Sequence, residues 1–444
     1  MGNLELFRNN WIVNPLRSSL VGLALLPMVG GAQTTREEVY ADLNRCGGVY
    51  YAYPVTTAEN TPAPKGYEPF YISHYGRHGS RYLISDKDYA VVIEAMEKAQ
   101  KAGVLTELGK SALERLHAIW PEAEGMGGAL SPVGVQQQRG IAQRMFQSFP
   151  QVFQGNAFVE ARATTSIRVV LTMDAFCERL KEFNPALRTT RESNDRWQRY
   201  LNHHTDISNE FTGEKGPWRE EYRKFEAEHT RPERMMKALF TDAEYVRKNV
   251  NPHDLMWGFY WVTVDMQDMV SDVSFLDLWE PDEIFDLWQA FNYRFYVCDG
   301  PYAGSNGLLL ANAKPLVRNI VATADSVINL NAHGATLRFG HDGNLIPLAG
   351  QLQIDDCYNS TNRPEDFYKN FADWKIAPMA GNIQLVFFHK TPAKKKGKLV
   401  ETSDDDILVK IMLNERERHL PIATDQWPFY HWKDVREHLL KQGK

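Results

Sequence analysis

The stretch Glu68-Pro69-Phe70-Tyr71-Ile72-Ser73-His74-Tyr75 runs through Gly76 straight into Arg77-His78-Gly79-Ser80-Arg81. The first eight residues are rich in aromatic and β-branched side chains, which is strand composition. The last five set one histidine between two arginines, with a glycine that lets backbone approach a bound group. Guanidinium forks match tetrahedral oxyanions, and charge-assisted bonds to such anions are strong. A histidine among cations is favoured in its neutral form, which leaves one ring nitrogen free as a nucleophile.

Working outward, strand and helix signals alternate. Asp88 to Ala102 and Leu108 to Ala118 have helical apolar spacing. Val133 to Phe149 reads as a helix capped by Ser131 with Pro132 at its first position. Ala157 to Ala161 reads as a short strand, and Ile167 to Leu180 as the helix after it. Further on come a helix over Leu308 to Asp325, a strand at Thr336–Gly340 and a helix from Asn344 to Leu352. Two more strands, Asn382–His389 and Ile407–Leu413, are joined through the lysine run Lys394–Lys398, read as a solvated hairpin loop. Between about Asn184 and Tyr302 the texture is helical, dense in Trp, Tyr, His and Arg, with almost no strand signal. The expected fold class is therefore α/β: a three-layer core with a mostly parallel central sheet, interrupted by an inserted helical cap domain. The expected boundaries are 1–32 leader, 33–185 first part of the core, 186–304 cap and 305–444 second part of the core. Ligands in such folds sit beyond the carboxyl ends of strands, under whatever is inserted there.

Composition is ordinary for a globular chain of 444 residues, 43% hydrophobic and 24% charged. A formal net charge of −6 leaves no general basic footprint for nucleic acid, so any anion must be held by a local cluster of cations. Arg8 and Arg17 precede a short apolar run, Ser19 to Val29, that ends in Gly30-Gly31-Ala32. That pattern predicts a secretory leader cut after Ala32 and an exported, periplasmic or extracellular protein. The run is too short, and interrupted by Pro27, to span a membrane. Cys46, Cys177, Cys298 and Cys357 are widely spaced; three disulfide pairings and four free thiols all remain open.

Four motifs in chain order resemble the histidine phosphatase superfamily, in its acid phosphatase and phytase branch. They are the Arg77–Arg81 loop, the helix start Leu130-Ser131-Pro132-Val133-Gly134, the turn Arg162 to Arg168, and Phe339-Gly340-His341-Asp342. Ser73–Gly76 and Arg81-Tyr82-Leu83 around the first motif look most like bacterial multiple inositol polyphosphate phosphatases. Many of those carry His-Ala-Glu where this chain has His341-Asp342-Gly343. The resemblance implies a phosphomonoesterase with His78 as nucleophile and Asp342 as proton donor to the leaving alcohol. It implies phosphate held by Arg77, Arg81, Arg168 and His341, with no metal and no cofactor.

Residue chemistry leads the same way. Phosphoryl transfer needs an in-line nucleophile, charge compensation on the equatorial oxygens and a proton for the departing alkoxide. Arg188, Arg191, Arg196 and Arg199, with His203 and His204 beyond, form a second cationic stretch. Arg188, Arg191 and His203 are candidate specificity residues for an inositol polyphosphate such as phytate; the alternative is a solvated face paired with Glu192 and Asp195. A broad-specificity acid phosphatase, a phosphoglycerate-mutase-like enzyme and a non-catalytic phosphate-binding protein are the competing readings. The mutase reading sits poorly with a leader and an His-Asp donor motif, and binding alone needs neither nucleophile nor donor. The expected partner is a small phosphorylated molecule, with no nucleic acid and no membrane span; oligomeric state is not legible.

Several other features carry no chemistry. Gly109-Lys110-Ser111 follows a helix with the wrong glycine spacing for a P-loop. Asp404-Asp405-Asp406 are consecutive loop residues and make no ligand cage. His333 reads as structural, and alternation leaves His74 facing either pocket or core.

Overall fold

The computed structural model describes residues 35–55, 60–361, 363–391, 394–395, 398–399 and 407–442. The leader expected at 1–32 and the run Asp404–Asp406 lie outside them. Among the described residues ten strands occur in chain order: β1 Tyr67–Arg77, β2 Phe158–Ala163, β3 Arg188–Ser193, β4 Gly334–Gly340, β5 Asn382–Lys390, β6 Lys394–Lys395, β7 Lys398–Leu399, β8 Ile407–Leu413, β9 Arg416–Glu417 and β10 Phe429–His431. The main sheet runs β10-β8-β5-β1-β4-β2-β3, with β9 beside β8. The β1–β4, β4–β2 and β2–β3 pairs are parallel, and the pairs beyond β1 on the other side are antiparallel. Five strands of this eight-stranded sheet (β1, β2, β3, β4 and β8) therefore point one way, and the expected mostly parallel sheet is present. The lysine run joins β5 to β8 and contains the small β6–β7 hairpin.

Strand alternation divides the core. Tyr71, Tyr75, Ile383, Leu385 and Phe387 point into one apolar cluster, and Ile72, Val386 and Phe388 into another. Helices Pro132–Ser148 and Ile167–Phe183 cover the second face through Ile141, Met145, Met173 and Phe176. On the first face lie helices Lys314–Asn329, Asp342–Gln351 and Trp432–Gln442. The helices between Asp195 and Cys298 feed the same cluster, together with Asp86–Lys101 and Glu107–Ala123.

One expectation fails. Residues 188–193 form β3, not helix, paired in parallel with β2 from Phe158↔Arg188 to Ala163↔Ser193. An edge strand has one partner and buries little; none of its six residues is fully buried. It therefore needs no apolar run, and its Arg, Thr, Glu and Ser give no alternating hydrophobic signal. The helix expected from Leu308 begins later, at Lys314, after a 3₁₀ turn over Leu310–Ala313. All four cysteines are free thiols. No helix among the described residues is long and apolar enough to cross a membrane.

Candidate active site

Parallel pairing of β1 with β4 sets Arg77 opposite Gly340, so His78 and His341 leave the sheet side by side. The His78 N–H donates to the Gly340 carbonyl at 3.1 Å, and the Thr164 N–H, just past β2, donates to that of Phe339 at 3.1 Å. Three adjacent strand ends thus converge on one point. The loop after β1 is clamped from the second layer. Ser131 caps helix Pro132–Ser148 by accepting from the Gly134 N–H, and its hydroxyl donates to the Ser80 carbonyl at 3.1 Å. A Cβ on Gly79 would stand 2.4 Å from the Gly134 carbonyl oxygen, and one on Gly134 2.2 Å from that of Ser80. Only two glycines allow this approach, which is why both motifs contain one at this point. Gln137 binds the Ser80 N–H at 2.9 Å, and Gln138 donates to the Arg77 carbonyl at 3.0 Å.

The rings of His78 and His341 lie edge to face with centroids 5.7 Å apart. His78 Nδ1 is 2.8 Å from the Gly79 carbonyl oxygen. A carbonyl only accepts, so Nδ1 carries the proton and Nε2 carries the lone pair. Burial, and then the charges of Arg77, Arg81 and Arg168, hold His78 well below the ordinary histidine value. The imidazole is therefore neutral and nucleophilic at any physiological pH. Burial likewise lowers His341 to about 4, with Arg168, Arg77 and Arg81 acting in the same sense against the opposing charge of Asp342. Its Nε2 lies 3.1 Å from Thr164 Oγ1.

His78, Arg81, Arg168, His341 and Asp342 line one cavity of about 490 Å³, large enough for a small phosphorylated molecule. Arg81 is held by the Tyr82 carbonyl at 2.8 Å and Tyr50 Oη at 3.0 Å, with its guanidinium 4.6 Å from the Tyr50 ring centre. Arg168 is the second residue of its helix, and burial and the nearby Arg81 lower its pKa. Arg81 and Arg168 each keep a buried Nε with no hydrogen-bond partner among the described residues. Two guanidinium groups with donors to spare, close enough to repel, make a site that an anion completes.

Arg77 is placed differently from the other expected phosphate ligands. It is fully buried, is not on the cavity wall, and its guanidinium pairs with Asp342 at 2.7 Å. It also donates to the carbonyls of Val49 and Ala377. Asp342 opens helix Asp342–Gln351 and accepts from the Gly343 N–H at 2.8 Å. Burial raises this carboxyl, but Arg77, His341 and that N–H outweigh it and hold it below the ordinary carboxylate value. Asp342 is therefore ionised.

The second cationic stretch lies elsewhere. Arg188 and Arg191 are on edge strand β3, and neither they nor His203 line the cavity. Arg191 pairs with Asp174 at 2.9 Å, not with the expected Glu192 or Asp195. Arg188 reaches the Asn156 carbonyl and lies over Phe158. A strand in place of the expected helix carries both arginines to the flank of the sheet. Sequence reasoning missed the wall opposite His78: Tyr50, Trp261, Phe291, Arg294, Phe295 and Asp299. None of these belongs to a motif; they meet only because helices Pro252–Asp265 and Pro281–Cys298 pack beside residues 43–50. His74 turns into the core, between Phe176 and Phe339. Among the described residues no group of three or more His, Cys, Asp or Glu could hold a metal ion.

Comparison with known proteins agrees with this geometry. The family model of the histidine phosphatase superfamily (branch 2) matches residues 76–414. Multiple inositol polyphosphate phosphatase 1 of Homo sapiens is 22% identical over an alignment 396 residues long that covers 82% of this chain and 77% of that one. The structure of the Bifidobacterium longum multiple inositol polyphosphate phosphatase in complex with inositol hexasulfate superposes with a TM-score of 0.73 at 18% identity, over 89% of this chain and 97% of that one. The phytase from D. castellii superposes with a TM-score of 0.63 at 13% identity, over 90% and 85% of the two chains. With the family model spanning the strand-end loop, the two helix starts and the His341-Asp342 pair, the chain belongs to the histidine phosphatase superfamily, branch 2, and is a phosphoric monoester hydrolase.

Proposed function

We propose that the protein removes phosphate from inositol polyphosphates, phytate among them, through a covalent phosphohistidine on His78. The observation that carries the chemistry is the fixed tautomer: Nδ1–H is tied to the Gly79 carbonyl, so Nε2 is the reacting atom in a cavity walled by Arg81, Arg168 and His341. Nε2 attacks phosphorus in line, the cations take up charge on the equatorial oxygens, and Asp342 gives a proton to the leaving alkoxide. Asp342, ionised again, then takes a proton from the water that attacks the phosphohistidine. A bound phosphate dianion raises the Asp342 pKa and so supports the first step. No step needs a metal.

The choice of substrate rests on the motif resemblance and on the names of the relatives. One observation favours a broad-specificity phosphatase as second reading: beyond the scissile group the cavity wall offers a single further arginine, Arg294, amid Val49, Leu83, Ile84, Trp261, Phe291 and Phe295. On the strength of the leader pattern, we place the enzyme outside the cytoplasm. The test is rapid-quench labelling with radiolabelled phytate, then product profiling. Acid-labile, base-stable label on His78 and stepwise loss of ring phosphates are expected. Label on a serine or a carboxylate removes the mechanism; turnover of simple monoesters without phytate turnover leaves the second reading.

A further inference from the structure

The proposed mechanism asks Asp342 for a proton that the resting structure does not put there. Asp342 is paired with Arg77 and sits at a helix N-terminus, both of which favour the carboxylate. A second carboxyl stands on the same wall. Asp299 caps helix Pro281–Cys298, lines the cavity beside Asp342 and Gly343, and comes from a different element of the fold. Gly343 keeps it open: a Cβ there would lie 3.2 Å from Asp299 Oδ1. Among the described residues the Asp299 carboxyl has no hydrogen bond or ion pair that would fix it as an anion.

We propose that Asp299 is the proton-holding partner of Asp342, so that the two carboxyls share one proton in the free enzyme, resident on Asp299 and available to the leaving group through Asp342. The inference rests on the phosphohistidine reading above. The Nε2 lone pair of His78 forms the N–P bond, the P–O bond breaks with its electron pair on the departing oxygen, and the proton of the pair goes to that oxygen. Water then forms a new P–O bond, the N–P electron pair returns to Nε2, and the proton lost by water returns to the pair. Asp299 is a positioning residue in this scheme, since Asp342 meets the substrate.

The electrostatics support the geometry. Burial first, then the charge of Asp342, push Asp299 up to about 7, while Arg294 on the same helix opposes them. Two like carboxyls in one site separate their titrations in this way. The titratable and charged groups around Asp299 are Asp342 and His341 from the β4 end, Arg294 and Cys298 from its own helix, and Tyr50, His78, Arg81, Asp88 and Arg168 elsewhere on the cavity wall.

The test is the pH dependence of kcat/KM, which reports the free enzyme, for an alkyl ester (2-glycerophosphate) and an aryl ester (4-nitrophenyl phosphate). In Asp299→Asn the alkaline limb for the alkyl ester should move at least about one pH unit toward acid, because the remaining carboxyl is the depressed Asp342. Turnover of the alkyl ester near neutrality should fall roughly tenfold or more, with the aryl ester little changed. Asp299→Glu should restore the wild-type limb. Arg294→Gln, an exposed change that is safe for folding, should move the limb the other way, since it removes the cation that favours ionised Asp299. Profiles that superimpose on wild type, or equal losses on both esters with the limb unmoved, overturn the proposal. If Asp299→Asn does not fold, an unmoved limb in Arg294→Gln overturns it alone. Failure of the wild type to hydrolyse either ester is a different result and counts against the proposed function itself.

Discussion

Arg81 and Arg168, at the carboxyl ends of the strands, and Arg188 and Arg191, on the outer edge of the same sheet, are one residue type in two opposite conditions. In the first pair Arg81 is buried and Arg168 half-buried; they lie near each other, and each has a buried Nε with no partner among the described residues. The second pair is at the flank, and Arg191 is already matched by Asp174. A cation is free to bind an anion where the fold has given it no counter-charge; a cation that has one contributes a surface pair worth about 0–1 kcal/mol and little else. Density of arginine along the chain does not distinguish these cases. Placement at a strand end does.

The sharpest way to break that comparison is at its centre. His78→Ala should lower turnover by about 10³-fold or more while leaving the thermal melt near wild type, because the nucleophile lies in a polar cavity and carries no core packing. Trapping of labelled phosphate should vanish with it. Asp342→Asn comes next. General acid catalysis contributes about 10²–10⁴-fold, so alkyl phosphates should lose most of that and aryl phosphates, whose leaving groups need little protonation, far less. Equal losses on the two would remove Asp342 as donor. The melt should be measured too, since this variant leaves the buried Arg77 without its counter-charge. Arg168→Gln should cost about 10²–10³-fold in kcat, the usual effect of removing one donor aimed at developing charge. An effect confined to KM would instead make Arg168 a ground-state ligand.

How much of this was legible before the structure divides along the same line. His78, Arg81, Arg168, His341 and Asp342 could be read because each lies in a short motif; His78, His341, Asp342 and Arg168 fall within a residue or two of a strand end or helix start and Arg81 closes the loop after β1, where pairing of β1, β4 and β2 forces convergence. The alternating and helical patterns of the core were equally direct, since burial on a fixed period leaves a fixed signature. Edge strand β3 was not legible because it buries too little to be apolar. Asp299 and Arg294 were not, because they join the site through packing of a helix far along the chain. The same holds for Asp268, which accepts from Ser80, and for Asp265, which accepts from Tyr89, beneath the catalytic loop. Burial pushes both carboxyls up, a property of the folded environment that no spacing records.

The smallest effect is the one that decides between the two substrate readings. Arg294 is exposed, lines the cavity beyond the scissile group and makes no ion pair among the described residues; Arg191 is paired and off the wall. If phytate is the substrate, its further phosphates need a cation that the scissile site does not supply, and Arg294 is the one on offer. Arg294→Ala should then raise KM for phytate several-fold, make that KM less steep with salt, and barely alter KM for a simple monoester. Arg191→Ala should change neither by more than about twofold, since an exposed pair contributes little. Should Arg191→Ala weaken phytate as strongly as Arg294→Ala does, the edge of the sheet would belong to the binding surface after all. Equal, slight losses on both substrates in both variants would leave the cationic contribution confined to Arg81 and Arg168, and the apolar wall of Trp261, Phe291 and Phe295 would then mark a broad-specificity phosphatase.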